Sequence, residues 1–427
     1  MIVPDCQSPQ SPASRPATRC RRPRAKTVCV AVSIFCSGLA IWGWTGGFVQ
    51  ICNALAERAL RARDAKTATD WLAWSGQLKS DDPRAEFLRA RLARREGRFD
   101  DVRAHLLRAW QLGCPAQALE REQWLVNAQV GQLRAAEPHL PALLTDQQGE
   151  GDQICEAFVT GYLMTYQINK ARQLLDSWER DYPLDPLPHT IRARIHVDEH
   201  NWRAASDSLR AALTRQPNDP ESVLALAEVQ LACQQPREAL QLFLQQKSGQ
   251  VQQSQRARLG MAQCYKALGR SAEARQALTA LVEEHPDAET ALYDLAQLEL
   301  EAGHYAPARK LLEQAREHDP KNPAVLLSLA SVLRRAGETE TADALLERAN
   351  QIVAARGRID QLVEKVALQT DDVAVRFDIG MLQLEFGSRS EGLLWLQSIL
   401  QFQPDHEPAR LAIAGSQGAR SIRPWPK

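Results

Sequence analysis

Neither sign of charge is in surplus: 52 Lys and Arg face 52 Asp and Glu among 427 residues. That removes any global electrostatic case for a nucleic-acid partner. None of the nine cysteines forms a C-x-x-C pair, so no zinc ribbon or thioredoxin-like motif is present. The isolated Cys114, Cys155, Cys233 and Cys264 read as small buried hydrophobes. No G-x-x-x-x-G-K-S/T, G-x-S-x-G or G-x-G-x-x-G run occurs, which excludes the phosphate-loop, nucleophile-elbow and dinucleotide fingerprints. His406-Glu407 lacks the second histidine of a zinc-peptidase helix, because Arg410 stands in its place. His196, Asp198 and His200 fall at a helix end and read as solvated surface. The chain is therefore expected to be no enzyme and to hold no cofactor or metal.

What is present is a period. Ala171, Ala205, Ala239, Ala274, Ala308 and Ala342 succeed one another at spacings of 34, 34, 35, 34 and 34. Four residues after each stands a large apolar residue: Leu175, Leu209, Phe243, Leu278, Leu312 and Leu346. Such a period marks one supersecondary unit stacked on copies of itself. A stack escapes the size limit of a single core, because each unit contacts only its neighbours.

The unit Glu289–Asn322 shows its construction. Leu292, Leu295, Ala296 and Leu298 recur at helical spacing. Gly303 ends that helix and Tyr305 opens a second, lined by Ala308, Leu311, Leu312 and Ala315 and stopped by Pro320. Together they make an antiparallel helix hairpin. The small residues let helices approach to about 8 Å, where a leucine would overpack.

This unit resembles the tetratricopeptide repeat family. That family's unit of about 34 residues carries small residues and a closing proline where this one has Ala296, Ala308, Ala315 and Pro320. Further units follow in phase, carrying Ala193, Trp202 and Ala205; Ala227, Ala239 and Phe243; Ala262, Gly269 and Ala274; and Ala330, Gly337 and Ala342. The fold expected is all-α, an α-α superhelix (tetratricopeptide-type solenoid) with an N-terminal transmembrane helix. The repeats proper cover 151–356, with degenerate helical repeats over 53–150. Residues 357–372, GRIDQLVEKVALQTDD, are expected as an inserted helix. A final repeat and capping helix fill 373–420, with Gly392 in place of the alanine.

The N-terminal part differs. Residues 1–27 set six Arg and Lys against Asp5 and are expected to form a basic disordered tail. Residues 28–52 carry no charge and are long enough for a transmembrane helix, with Trp42, Trp44 and Phe48 toward its far end. Six cations before the run and four after it place the N-terminus in the cytoplasm. The repeats of this single-pass inner-membrane protein are then extracytoplasmic. A cleaved secretory signal is the alternative, since Ala54-Leu55-Ala56 is similar to a small-x-small cleavage site; the repeats are then periplasmic or secreted.

In tetratricopeptide proteins the first helices of successive units line a concave face. The resemblance implies a protein-binding groove of Arg194, Glu228, Gln263, Lys266, Tyr293, Gln297, Ser331, Arg334, Phe377 and Met381. Arg334 and Arg335 offer guanidinium forks to a carboxylate. The partners expected are a protein or peptide, and the membrane through residues 28–52, with no nucleic acid. The function expected is a membrane-anchored scaffold in the assembly of an envelope-associated complex; a non-catalytic accessory subunit of an enzyme or biogenesis system is the alternative. The layout is similar to lipopolysaccharide-assembly scaffolds, which end in a cysteine-rich metal module, whereas RSIRPWPK contains no cysteine.

If nested hairpins are the basis of the fold, Ala308→Leu lowers stability by about 1–3 kcal/mol through overpacking. Chemical denaturation reads the effect. Unchanged midpoints for leucine at Ala205, Ala274 and Ala308 would contradict the stacking.

Overall fold

The structure, a computed structural model, describes residues 46–146, 150–245 and 255–416, and every regular element among them is helical. Two compact units divide the chain, Met1–Leu119 and Glu120–Lys427.

The first unit holds α1 (Gly47–Arg61), α2 (Ala65–Leu78), α3 (Pro83–Arg95) and α4 (Phe99–Gln111) as two hairpins. Ala56, Leu60, Leu72 and Leu88 belong to its core. Buried Asn53 ties three of these helices. It donates to Asp82 Oδ2 at 2.7 Å and accepts from Ser75 Oγ at 2.8 Å. Asp82 in turn caps α3 by accepting from the Ala85 amide. Helix α5 (Ala116–Gln129) carries the boundary between the units.

In the second unit, α6 (Leu133–Ala136), a 3-10 turn (Glu137–His139) and α7 (Leu140–Thr145) stand where a regular repeat would carry its second helix. Pro138 and Pro141 lack the amide hydrogens that an unbroken helix needs there. Hairpins follow: α8 (Gly151–Met164) with α9 (Ile168–Asp181), α10 (Leu187–Asp198) with α11 (Trp202–Arg215), and α12 (Pro220–Ala232) with α13 (Pro236–Gln245). Next come α14 (Gln255–Ala267) with α15 (Ser271–Glu284), α16 (Glu289–Glu301) with α17 (Tyr305–His318), and α18 (Pro323–Arg335) with α19 (Thr339–Leu368). Helices α20 (Val373–Phe386), α21 (Arg389–Phe402) and α22 (Glu407–Ser416) complete the unit. The six periodic alanines are all 0 % exposed.

Among the described residues, nine hairpin turns and the α4–α5 connection share one device. A residue just past the preceding helix has positive φ in each: Gly97, Gly131, Gly269, Gly303 and Gly337, but also Arg63, Tyr166, His200 and Gln234, with Gly113 in the α4–α5 connection. The following amide closes the turn on a carbonyl five residues back, as His304 does on Glu299 at 2.8 Å. The α20–α21 turn departs from this: Gly387 has φ −122°.

Residues 357–372 are not a separate helix. α19 runs unbroken for 30 residues, because neither a proline nor a cap interrupts it near Gly357. Its extension brings Ile359, Leu362 and Val366 into a core with Ile379 and Trp395. Tyr166, from the α8–α9 turn, joins the same core. Its ring stacks on Trp395 with centroids 3.5 Å apart and planes 12° from parallel. An early hairpin of the unit thus touches its last one. Arg376, 0 % exposed, stands beneath this clasp. It donates to the Thr370 carbonyl at 2.8 Å and to Ser398 Oγ at 2.9 Å, and its guanidinium lies 4.9 Å from the Phe402 ring centre. Burial pushes its pKa down to about 10, which still leaves it a cation at neutral pH.

The expected tail 1–27, most of the expected span 28–52, and residues 417–420 lie outside the described residues. The last part of that span is inside them and is built into α1, where Val49 and Cys52 are buried. Among the described residues no helix is long and apolar enough to cross a membrane.

Trp395→Ala should cost about 3–5 kcal/mol, the loss of a buried aromatic. Hydrogen exchange should rise both in α21 and in the α8–α9 turn. Faster exchange in α21 alone would show that the stack does not join the two hairpins.

Candidate functional site

The residues expected to line a groove sit on the first helices of successive hairpins: Arg194 on α10, Glu228 on α12, Gln263 and Lys266 on α14, Tyr293 and Gln297 on α16, Ser331 and Arg334 on α18, Phe377 and Met381 on α20. Four of them are occupied by the next repeat. Glu228 accepts from Arg256 Nε at 2.6 Å. Gln263 Nε2 and Lys266 Nζ both donate to Asp294, at 2.9 and 2.7 Å. Gln297 Nε2 donates to Ser328 Oγ at 2.8 Å. Asp294 is 6 % exposed, and those two donors supply the hydrogen bonds that a buried carboxyl group requires. These contacts set the register between hairpins.

Sequence reasoning missed Arg256, Asp294 and Ser328. A signal existed: Gln263–Asp294 and Gln297–Ser328 are both separated by 31 residues. Tyr293 packs half-buried on the core containing Leu292. Phe377 is half-buried too, its ring 5.6 Å from that of His406, whereas Arg194 and Met381 are exposed.

Ser331 and Arg334 do come together, in a pocket of about 280 Å³ between α18 and α19. Leu327, Ala330, Arg335 and Leu346 complete its lining. Arg334 pairs with Asp343 at 2.5 Å, and both side chains are mostly exposed, 55 and 66 %. Such a pair is worth at most about 1 kcal/mol in water, so an arriving carboxylate competes with Asp343 on even terms. Arg335 donates to the Tyr305 hydroxyl and stacks 4.8 Å above that ring, which holds its fork at the rim. Guanidinium groups beside an aliphatic wall suit a carboxylate adjacent to an apolar side chain.

Burial pushes the Cys155 thiol to about 12 and the Cys264 thiol to about 11, so neither is a thiolate at neutral pH. Among the described residues no three His, Cys, Asp or Glu side chains are grouped to hold a metal ion.

Two tetratricopeptide repeat families match residues 259–306 and 299–366, and a family described as anaphase-promoting complex, cyclosome, subunit 3 matches residues 198–281. No curated protein matches the chain. Among solved structures, PilW, described as a widely conserved type IV pilus biogenesis factor, is 18 % identical with a TM-score of 0.42, over 46 % of this chain and 90 % of its own. PilF of Pseudomonas aeruginosa is 17 % identical with a TM-score of 0.34, over 54 % of this chain and 97 % of its own. A human IFIT1 dimer with PPP-AAAA is 15 % identical with a TM-score of 0.43, over 84 % of this chain and 91 % of its own. The repeat matches and the helix hairpins agree on a tetratricopeptide-like solenoid.

Asp294→Ala should destabilise the second unit by about 1.5–3 kcal/mol, the worth of hydrogen bonds to a buried charge. Asp294→Asn, which keeps an acceptor, should cost less. No loss for Asp294→Asn would show that the carboxylate's charge is immaterial; a loss equal to that of Asp294→Ala would show that a neutral acceptor recovers nothing.

Proposed function

We propose that this chain is a membrane-anchored, non-catalytic tetratricopeptide scaffold that binds a peptide segment of a protein partner and organises an envelope-associated assembly. The observation that carries the binding reading is the α18–α19 pocket, where Arg334 and Arg335 stand over Leu327 and Leu346. Elsewhere much of the expected groove is committed to inter-repeat hydrogen bonds. The ligand inferred is an acidic group, or a chain-terminal carboxylate, next to an apolar side chain. Balanced charge favours a protein partner over nucleic acid.

The anchor reading rests on the apolar run before α1. Nineteen uncharged residues, 28–46, precede α1, and as a helix they would reach about 28 Å, enough for a bilayer core. Cleavage after Ala56 would take Val49, Cys52 and Asn53 out of the first unit's packed interior, which favours retention over secretion. The cation asymmetry favours a cytoplasmic N-terminus and extracytoplasmic repeats.

Arg334→Glu should abolish co-purification of the partner from solubilised membranes, or weaken its affinity by at least about tenfold, the worth of one charge-assisted hydrogen bond. Arg334 is exposed, so circular dichroism should not change. Arg210→Glu, on the exposed side of α11, is the control. Retention of the partner by Arg334→Glu would move the site elsewhere.

A further inference from the structure

A stacked array needs a polar face wherever no neighbour covers it. The first hairpin does not have one. Ile51 on α1 is 43 % exposed, and Trp74 and Leu78 on α2 are 59 and 54 % exposed. Helical spacing puts Ile51 in one stripe with Phe48 and Leu55, and Trp74 and Leu78 in another with Trp71. The buried side chains of α1 and α2, among them Cys52, Asn53, Ala56, Leu72 and Ser75, point between the helices.

Contacts with α3 show which flank each stripe occupies. Glu57 of α1 pairs with Arg84 of α3 at 2.5 Å, and Arg89 of α3 donates to the Leu72 carbonyl of α2 at 3.0 Å. A Cβ at Gly76 would meet the Arg89 guanidinium at 2.5 Å. Glu57 and Gly76 therefore mark the flank that α3 covers. On helical geometry both apolar stripes lie on the other flank, roughly half a turn away from Glu57 and Gly76. Charge stands only at the ends of these stripes, with Arg58 one turn past Leu55 and Asp70 one turn before Trp74.

The position of this flank in the chain points to its occupant. Residues 28–46 are free of charge, and α1 begins at the next residue. A bilayer span there delivers the first hairpin into the headgroup layer, where tryptophan and large aliphatic side chains are favoured.

We propose that the flank formed by Ile51, Trp74 and Leu78 lies on the bilayer surface and holds the first unit down against it. This rests on the anchor reading above. The unit is then seated on the membrane rather than joined to it by a free tether.

The test uses the full chain in its own membranes, with Trp74→benzoylphenylalanine as a photocrosslinker. A matching chain carries Leu184→benzoylphenylalanine, at a position 84 % exposed in the second unit. Irradiation should give lipid adducts at position 74 at least tenfold above those at position 184. If the crosslinks at position 74 run instead to residues 28–45, to a second copy or to another protein, that occupant replaces the bilayer and the proposal fails. A chain that resists alkaline carbonate extraction yet forms no lipid adduct at position 74 is anchored but not seated, which overturns this proposal alone. Release by carbonate with no lipid adduct overturns the anchor reading and this one together.

Discussion

Close approach of helix backbones is the constraint on which everything else depends. Where neighbouring helices cross closely, within a hairpin or between two, the side chain must be small enough for the partner's ridge to sit against the backbone. The six periodic alanines meet that need at 0 % exposure. Where the approach is tighter still, alanine is already too large. A Cβ on Gly161 would come within 2.0 Å of the Ala128 carbonyl oxygen, and one on Gly260 within 2.3 Å of the Phe243 ring. Gly392, which breaks the alanine series, belongs with these: its Cβ would lie 2.8 Å from Leu384 and 2.9 Å from the Gly380 oxygen. The exception in sequence is thus the same rule applied at a shorter distance.

The turns obey a second rule, and their exceptions are informative. A left-handed residue past the helix is cheap for glycine and costs on the order of 1 kcal/mol for other residues. Tyr166 takes that conformation with φ 56°. Unlike His200, whose ring tilts over its neighbour Trp202, Tyr166 reaches across the fold to Trp395. Burial, with Glu391 as a lesser cause, pushes its hydroxyl well above the usual phenol range, consistent with a neutral ring fixed in a packed site. The strain is offset by a contact between hairpins that the order of the chain keeps far apart. The extended α19 supplies the apolar floor for that contact through Ile359 and Leu362.

These two rules also explain what could be read from the chain. The hairpins were legible because each needs its own alanine, apolar ridge and turn residue within 34 residues, so the signal is local and repeats. The helical character of 357–372 was legible from Ile359, Leu362 and Val366, but its fusion to α19 was not, since periodicity alone does not say where a helix begins. The broken helix at Glu137–His139 had its cause in plain view at Pro138 and Pro141. The clasp was illegible because Tyr166 and Trp395 belong to units with no pairwise pattern between them. Family position placed the expected groove residues on the first helices of the hairpins, where the structure has them. It did not distinguish Gln263, which answers to Asp294, from Ser331, which borders an open pocket. That difference depends on which side chain the next repeat happens to present.

The same consideration argues for why the open site falls where it does. Between α12 and α18 each first helix meets another first helix one repeat on, and polar groups such as Glu228, Gln263 and Gln297 find partners 28 to 31 residues away. After α18 the spacing fails, because the 16 inserted residues delay the next first helix. Arg334 and Ser331 lie on the last first helix before that delay. Arg334 finds no partner on α20 and turns instead to Asp343 on the exposed start of α19. The insertion therefore does two things at once: it builds the floor of the clasp, and it leaves Arg334 paired inside its own hairpin, with Asp343, and not with a residue of the next first helix.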